Sequence, residues 1–589
     1  MIVAFFTTKM KFSFFNFNLI LLLVLMAKPS LSQSQNPINR LTASYKSGQV
    51  FLTWAETATP VKSYFNVYLY SKPIEKCNLH LATKVGHHVE AFSATDWWTN
   101  PKSFDKTALE DRLKGFTIET GKFLDPNSGL FVHTISTKDP KKLYFAVTAV
   151  INEVENTTII LGDNSLEIPI EGIIAQPSPI ALKTVPAKGS AMGGSLTIKL
   201  HGRGGDVALS PNANFIVFGD ASLGWREGLA HKFLVYKRQN EIIIEPYDRL
   251  WIGRPLLYSW DERDHALAIN TWWYGCNNQI YDETLSKTGI VVNYTEKYLV
   301  YLAKWGQQYF GTDPSKTYIQ GNSMGGTGAI STGLHNPDVF STIFSTVPLP
   351  AYTRKKGADQ KTTIERLDGL CGRICDETVM TDEGISVIDR MNSDKVVTES
   401  KKNLPFIVLM NGRTDGSMPW VNNPSFYTAL DNSKRGYASY WNNGGHNMAS
   451  SAPSDILNFY KLHPELSLHK SYPAFSNFSE NKNPGNGEKE DGDIEGWMNR
   501  GLYWENVIDT TDAWSADIYI KDIPLVSAAT VSLTPRNLQN FRIKKGNTLL
   551  VQWQNKTVEV KAIEDGMITV NNLKIDTINE KVSIKIYKK

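Results

Sequence analysis

Stretches in which apolar and polar residues alternate dominate the first third of the chain. Gln49–Trp54, Tyr64–Tyr70 and Leu143–Val150 show this period of two, and turn residues separate them. Because the side chains of a strand point alternately to its two faces, the pattern predicts a β-sandwich over residues 36–185. Residues 77–139 form too long a segment for an ordinary loop of such a fold, so we expect an insertion there.

The pattern changes at residue 186, after which strand-like and helix-like stretches alternate as far as residue 465. Ser195–Leu200 and Glu241–Glu245 have the composition of buried strands, and Thr295–Phe310 has apolar residues at helical spacing. Further predicted strands are 317–319, 342–344, 405–410 and 437–441. This alternation is typical of an α/β domain with a mostly parallel sheet and helices on both faces. The polar, cysteine-bearing residues 354–402 are interpreted as a cap.

A third pattern follows residue 466. A polar linker, 481–492, precedes renewed alternation, which predicts a second β-sandwich over residues 493–589. Its strands are predicted at 514–520, 548–553 and 582–587. Trp497, Trp504 and Trp514 lie in this region; we expect core packing for them, with a sugar-stacking platform as the alternative.

The N-terminus has the pattern of an export signal. Lys9 and Lys11 precede an apolar run, and its core, Leu19–Ala27, is too short to span a bilayer comfortably. Ser30 and Ser32 then supply small residues at the positions that a signal peptidase reads, so residues 1–32 are predicted to be a signal peptide, with a membrane anchor as the alternative. We therefore expect a secreted or periplasmic protein without stable membrane insertion after cleavage.

Charge and cysteine content restrict the possible partners. The 589 residues carry a formal charge of only +3, and their basic residues are dispersed, so a nucleic-acid partner is not expected. The four cysteines, Cys77, Cys276, Cys371 and Cys375, can form disulfides in an exported chain, but the sequence leaves their pairing open. Neither a metal nor another cofactor is expected.

The most specific chemical motif is Gly-x-Ser-x-Gly at Gly321–Gly325, between the predicted strand at 317–319 and a small-residue helix. At such a strand-to-helix corner the motif is typical of a nucleophile elbow, in which a sharp turn exposes the serine hydroxyl. Ser323 is therefore the predicted nucleophile; the alternative is a glycine-rich loop before an ordinary helix.

An acid and a base follow in the order that such a nucleophile requires. Asp415 lies in a turn directly after the strand at 405–410, and His446 lies in a glycine-rich loop after the strand at 437–441. A serine hydroxyl needs a base to remove its proton, and the base needs an orienting carboxylate. Alternatively, Asp415 only caps its turn, or His446 is a structural histidine.

The strand at 195–200 ends in His201-Gly-Arg-Gly-Gly205, which is similar to the glycine loop of an oxyanion hole. We expect the backbone N–H of Met324 and that of Arg203 or Gly204 to bind the developing oxyanion, with His201 structural. The aromatic run Trp272, Trp273 and Tyr274 is predicted to bind substrate, with core packing as an equal alternative.

These four segments resemble the α/β-hydrolase superfamily, over about 270 residues. Gly321–Ala329 and His335–Phe340 are similar to the secreted feruloyl esterases, acetyl-xylan esterases and polyhydroxybutyrate depolymerases. The strands containing Trp54 and Tyr144–Val150 resemble those of fibronectin type III domains.

The resemblance implies a secreted serine esterase that removes acetyl or feruloyl groups from a polysaccharide or another polymeric ester. Three alternatives stay open: a prolyl-oligopeptidase-like serine peptidase, a polyester depolymerase, and a carbohydrate-binding protein with a degenerate hydrolase core. The peptidase is less favoured because the sequence shows no repeat of propeller-blade length.

Overall fold

The structure is a computed structural model. It describes residues 38–57, 63–94, 117–119, 122–125, 127–175, 177–178, 185–202, 214–218, 229–248, 250–251, 268–280, 289–352, 363–372, 378–459, 466–488, 490–524 and 528–589. The predicted signal peptide and Cys375 lie outside these residues. In the described part of the chain, no helix has the length and hydropathy needed to cross a membrane. No group of three histidine, cysteine, aspartate or glutamate side chains there is placed to hold a metal ion.

The N-terminal region contains two antiparallel sheets around one core. One sheet is formed by Ile38–Lys46, Gln49–Glu56 and Ser128–Thr134; the other by Ser63–Tyr70, Thr83–Glu90, Lys142–Ile151, Val154–Asn156 and Ile170–Glu171. A short hairpin, Thr117–Glu119 with Lys122–Phe123, lies within the predicted insertion. Trp54, Phe65 and Phe145 are buried in the core that both sheets share. The three strands predicted from alternation are present, while the fibronectin-like assignment stays a prediction.

The middle region is built on a sheet of nine strands among the described residues. Their order across the sheet is Asn214–Phe218, Leu229–Arg238, Glu241–Pro246, Ser195–Leu200, Thr317–Asn322, Thr342–Thr346, Phe406–Gly412, Tyr437–Asn442 and Gly496–Met498. The six central strands are parallel, and the outer strands at both edges are antiparallel. We call Thr317–Asn322 the nucleophile strand, Phe406–Gly412 the acid strand, Tyr437–Asn442 the histidine strand and Gly496–Met498 the edge strand.

Glycines allow the helices to pack closely on this sheet. A Cβ atom added to Gly306, in the helix Tyr294–Phe310, would lie 2.9 Å from Cδ1 of Ile244. One added to Gly333, in the helix Met324–His335, would lie 2.5 Å from Cγ1 of Ile343. The remaining α-helices that the structure describes are Asp368–Cys371, Val387–Arg390, Ser393–Glu399, Asn423–Asn432 and Ser454–Leu457.

The described part of the predicted cap is joined to the helix Tyr294–Phe310 by a buried ion pair. Arg390 Nη2 lies 2.8 Å from Glu296 Oε1, and both side chains are almost inaccessible to solvent. Cys371, in the same part of the cap, and Cys276 have buried thiols, whereas the thiol of Cys77 is exposed.

The C-terminal region shares a hydrophobic core with the acid and histidine strands. It contains one sheet of Tyr472–Ser476, Ala529–Arg536 and Val570–Ile575, and a second of Leu502–Asp509, Ala513–Ile520, Thr548–Trp553, Lys556–Lys561 and Val582–Lys588. Trp504 and Trp514 are buried in the shared core, and the Trp504 ring centroid lies 5.8 Å from that of Phe406 in the acid strand. Trp497 is half-buried, with Nζ of Lys482 5.1 Å and the guanidinium carbon of Arg500 5.3 Å from its ring centroid.

The edge strand differs from the sequence-based expectation. The sequence assigned residues 493–589 to a separate sandwich, but Gly496–Met498 pairs with the histidine strand and so extends the central sheet. A strand of three residues is too short for period-two patterning to reveal its partner. The limits of the predicted domains stay predictions. The C-terminal region packs against the acid and histidine strands, which position the candidate site.

Candidate active site

Ser323 occupies a sharp turn between the nucleophile strand and the helix Met324–His335. Its backbone has φ 58° and ψ −123°, a conformation that a non-glycine residue rarely adopts. A Cβ atom added to Gly321 would lie 2.0 Å from the carbonyl oxygen of Gly325, and one added to Gly325 would lie 2.4 Å from that of Leu200. The two motif glycines are therefore a steric requirement of the turn, as expected for a nucleophile elbow.

Asp415 lies in the turn after the acid strand and has only 5% of its surface exposed. Its Oδ1 accepts hydrogen bonds from the backbone N–H groups of Ser417, at 2.7 Å, and Met418, at 2.9 Å. Its Oδ2 lies 2.8 Å from Nδ1 of His446. The carboxylate thus caps its own turn and holds the imidazole, so the two roles considered from the sequence occur together.

The turn with Asp415 packs directly on the loop with His446. The N–H of Thr414 donates to the carbonyl of Gly444 at 3.1 Å. A Cβ atom added to Gly412 would lie 2.3 Å from the same carbonyl oxygen. Because a carboxylate oxygen only accepts, we assign the proton to His446 Nδ1, which leaves Nε2 as the basic nitrogen.

The three predicted catalytic residues follow the carboxyl ends of parallel strands of one sheet, where α/β folds bind their ligands. Within the described residues, the Ser323 hydroxyl makes no hydrogen bond with His446, although Asp415 and His446 are joined. Such contacts are often long before substrate binds. The structure therefore brings the predicted acid and base together and places the predicted nucleophile at the same edge of the sheet.

The strand that precedes the predicted oxyanion loop also approaches the elbow. A Cβ atom added to Gly202 would lie 3.2 Å from Cβ of Ser323, and Met324 is the first residue of its helix. The free N–H groups and the positive end of a helix dipole at this position favour negative charge. Arg203 and Gly204, the other predicted donors, lie outside the described residues.

The side chain of His201 binds a carboxylate, in agreement with a structural role. Its Nε2 lies 3.2 Å from Oε2 of Glu245, and Nζ of Lys199 lies 2.6 Å from Oε1. Burial by itself would raise the pKa of Glu245. Hydrogen bonds from His201, Lys199 and Tyr236 outweigh this effect and lower the pKa to about 2.

Comparison with known proteins gives one family match and several similar solved structures. Residues 261–443 match the model of a family described as "Putative esterase". An S-formylglutathione hydrolase from Agrobacterium tumefaciens is similar in structure, with a TM-score of 0.31 and 15% identity over 55% of this chain and 96% of its own. A ferulic acid esterase has a TM-score of 0.25 and 18% identity, over 47% and 86% of the two chains. No curated protein sequence matches the chain.

The family match covers the nucleophile strand, the elbow, the acid strand and the histidine strand. The middle region is an α/β-hydrolase domain. The protein is a serine hydrolase of carboxylic esters.

The esterase buries the aromatic run at 272–274, leaving only 2%, 1% and 2% of Trp272, Trp273 and Tyr274 exposed. Trp272 contacts the ring of Tyr352, and Tyr274 lies against the guanidinium group of Arg390. These are contacts of the core, the alternative that the sequence had left open. A direct contact of the three aromatic residues with substrate stays a prediction.

Asp248 is a buried residue that supports the loop carrying Trp273 and that sequence reasoning missed. Its buried carboxylate accepts from the N–H and hydroxyl groups of Thr271 and, at 2.8 Å, from the N–H of Trp273. These bonds hold Trp272 and Trp273 at φ 55° and 62°. The only sequence signal was an acid two residues after the strand Glu241–Pro246, which by itself does not distinguish a structural carboxylate from an ordinary turn residue.

Proposed function

We propose that the protein is a secreted esterase that removes acetyl or feruloyl groups from a polysaccharide through a covalent acyl-enzyme. The observation that carries the proposal is the 2.8 Å contact between Asp415 and His446 at the sheet edge where Ser323 occupies its turn. In this proposal Ser323 is the nucleophile, His446 the general acid–base and Asp415 the residue that orients the imidazole.

The first half of the reaction acylates the serine. Ser323 Oγ forms a bond with the ester carbonyl carbon while Nε2 of His446 takes the hydroxyl proton. Asp415 stabilises the resulting imidazolium, and backbone N–H groups, that of Met324 among them, stabilise the oxyanion. The carbon–oxygen bond to the sugar then breaks, and His446 returns the proton to the departing sugar oxygen.

The second half releases the acyl group with water. His446 Nε2 removes a proton from a water molecule, whose oxygen bonds to the acyl carbon of the intermediate. The bond to Ser323 Oγ then breaks, and the proton passes from His446 to that oxygen. The products are the free acid and the regenerated hydroxyl, so the cycle consumes only water and needs no further reactant.

The polymeric substrate is proposed from the organisation of the chain. A predicted signal peptide would export the protein, which would give it access to extracellular polysaccharides, and β-rich regions flank the hydrolase on both sides. Incubation with acetylated, feruloylated and methyl-esterified polysaccharides tests this proposal. Release of acetate or ferulate is expected, while release of methanol alone, or cleavage of proline-containing peptides without ester hydrolysis, would contradict it.

The serine mechanism is tested separately with a short-chain aryl ester and a fluorophosphonate probe. Ser323→Ala should abolish turnover and labelling because it removes the attacking oxygen. Ser331→Ala is the matched control, since Ser331 is a buried serine of the same helix whose hydroxyl contacts the sulfur of Met391. Equal turnover by wild type and Ser323→Ala would exclude this nucleophile.

A further inference from the structure

Residues 483–488 and 490–493, most of the predicted linker, are held by hydrogen bonds within the segment, and we call these described residues the 483–493 loop. The N–H of Asn483 donates to Oδ2 of Asp493 at 2.7 Å, and the N–H of Asp493 donates to the carbonyl of Asn483 at 2.7 Å. Farther along, the N–H of Asn486 donates to Oδ2 of Asp491 at 2.9 Å. These bonds close the loop on itself and fix the direction of its backbone carbonyl groups.

Three of those carbonyl groups converge on one side chain of the hydrolase domain. Arg413 Nη1 donates to the carbonyl oxygen of Asp493 at 2.6 Å, and Nη2 donates to those of Asp491 at 2.8 Å and Glu488 at 3.4 Å. The guanidinium carbon lies 5.7 Å from the ring centroid of Trp420. Only 9% of Arg413 is exposed. A planar guanidinium group supplies several donors in a fixed geometry, which a lysine cannot reproduce.

The position of Arg413 connects this contact to the candidate triad. Arg413 follows the last residue of the acid strand and precedes Asp415 by two residues. Its own N–H donates to the carbonyl of Asn442, the last residue of the histidine strand, at 2.9 Å. Arg413 thus binds the histidine strand through its backbone and the 483–493 loop through its side chain.

A second contact strengthens the same junction. Nε1 of Trp441, in the histidine strand, donates to the carbonyl of Asp493 at 2.9 Å, so this carbonyl receives one donor from the histidine strand and one from Arg413, the residue that follows the acid strand. A Cβ atom added to Gly487 would lie 2.8 Å from Cα of Val421. The loop is therefore in close contact with the polypeptide that follows the Asp415 turn.

We propose that Arg413 is a positioning residue for Asp415 and His446, and that the 483–493 loop is the support on which it acts. The inference rests on the proposed function of those two residues. The loop fixes the guanidinium group, and the guanidinium group fixes the turn that contains Asp415. That turn sets the distance between the Asp415 carboxylate and the His446 imidazole. The C-terminal region then helps to position the catalytic residues through backbone carbonyl groups of the 483–493 loop, in addition to stabilising the fold.

A loss of this support should affect the chemical step more than substrate binding. A small misplacement of catalytic groups can cost about 100-fold in rate. For Arg413→Ala we expect kcat for a short-chain aryl ester to fall by about 10- to 100-fold, with KM changed less than about threefold. Added methylguanidinium should restore part of kcat, because it can occupy the space of the missing group and bind the same carbonyls.

Arg536→Ala is the matched control. Arg536 also joins the C-terminal region to the hydrolase domain through backbone carbonyls, those of Ser433 and Lys434 at 3.0 Å. These carbonyls precede the other end of the histidine strand, Tyr437, which lies roughly 17 Å from Asn442 by strand geometry. Arg536→Ala should lower the midpoint of urea unfolding without a specific change in kcat, and methylguanidinium should not raise its rate.

Two results would overturn the inference. One is a wild-type kcat in folded Arg413→Ala. The other is a loss of activity in Arg413→Ala that equals its fraction of unfolded protein, as expected for Arg536→Ala, and that methylguanidinium does not restore. If Arg413→Ala does not fold, Arg413→Lys keeps the charge and most of the stem, and a wild-type kcat in that variant would also refute the proposal. If the wild type hydrolyses no ester, the rates at which a fluorophosphonate probe labels the wild type and the variants are compared instead. Failure of the proposed function is then recognised separately from failure of this inference.

Discussion

The indole Nε1 of Trp273 donates a hydrogen bond to the backbone carbonyl of His201 at 3.2 Å. That carbonyl lies at the end of the strand Ser195–Leu200, where the chain passes beside Ser323 and enters the predicted oxyanion loop. A buried aromatic ring held by Asp248 therefore fixes the point from which the loop starts. The contact suggests a role for the aromatic run that does not require it to touch substrate.

Trp273→Phe tests this role, because phenylalanine keeps an aromatic ring and removes the N–H donor. We expect kcat to fall by about tenfold with little change in KM, since a shifted oxyanion donor stabilises the transition state less than before. Steady-state kinetics with a short-chain aryl ester measure both parameters. A rise in KM without a change in kcat would instead indicate that Trp273 binds substrate directly.

Asp415→Asn should leave the turn intact and impair catalysis. The amide oxygen of the variant side chain can still accept from the N–H groups of Ser417 and Met418. If the amide NH2 group is placed toward His446, it favours the imidazole tautomer that carries the proton on Nε2. We expect kcat to fall by about 10⁴-fold, as in a triad whose base has the wrong tautomer. Circular dichroism and the urea midpoint serve as controls for folding. A loss below about tenfold would mean that Asp415 mainly caps its turn.

Much of the candidate site could be predicted from the sequence because each predicted catalytic residue follows a strand with a clear pattern. The strand predicted to end at Ile319 continues to Asn322, one residue before Ser323, and the acid strand continues to Gly412. A parallel sheet places the carboxyl ends of its strands at one edge, so the positions of Ser323, Asp415 and His446 after such strands predict that the three residues lie close together. The 2.8 Å contact between acid and base agrees with that reasoning.

The parts that could not be predicted depend on backbone groups and long sequence separations. Arg413 binds carbonyls 75 to 80 residues later in the chain, and a carbonyl has no residue-specific signature. The edge strand has three residues, too few for a periodic pattern. Asp248 is interpretable only once its donors in the loop at 271–273 are near it. In each case the groups that make the contact come together only in the tertiary structure, so the local sequence pattern does not reveal it.

Glu56 in the N-terminal region predicts a pH dependence of stability. Burial raises its pKa from 4.5 to about 8, although its Oε2 accepts from the N–H of Phe92 at 2.8 Å. Between these values the folded state holds a proton that the unfolded state releases. The free energy of unfolding should therefore decrease as the pH rises from about 4.5 to about 8.

Glu56→Gln removes this titration. The variant should be more stable than wild type at pH 9, and the difference should shrink toward pH 5, as measured by urea unfolding at each pH. Glu155→Gln is the opposite control: hydrogen bonds from Thr148 and Tyr68 outweigh burial and lower the pKa of Glu155 to about 2. Its stabilising contribution is present above pH 4.5 and is lost as the pH falls toward 2, so Glu155→Gln should destabilise at neutral pH. A pH-independent effect of Glu56→Gln would contradict the prediction.

Trp504→Ala should destabilise the hydrolase domain as well as the C-terminal region. Its ring is 9% exposed and packs against Phe406, a residue of the acid strand, with centroids 5.8 Å apart. Removal of so large a buried side chain costs about 3–5 kcal/mol in unfolding free energy. Because the two regions share this core, we expect one cooperative transition in which esterase activity and C-terminal structure disappear at the same urea concentration.

Ile508→Ala is the control for this variant, since Ile508 lies on the same strand with 57% of its surface exposed. Its effect should stay within about 0.5 kcal/mol. Activity and tryptophan fluorescence followed across the same urea series provide the measurement. If activity in Trp504→Ala persists after the C-terminal fluorescence change is complete, the two regions unfold independently, and the hydrolase sheet does not depend on the core that it shares.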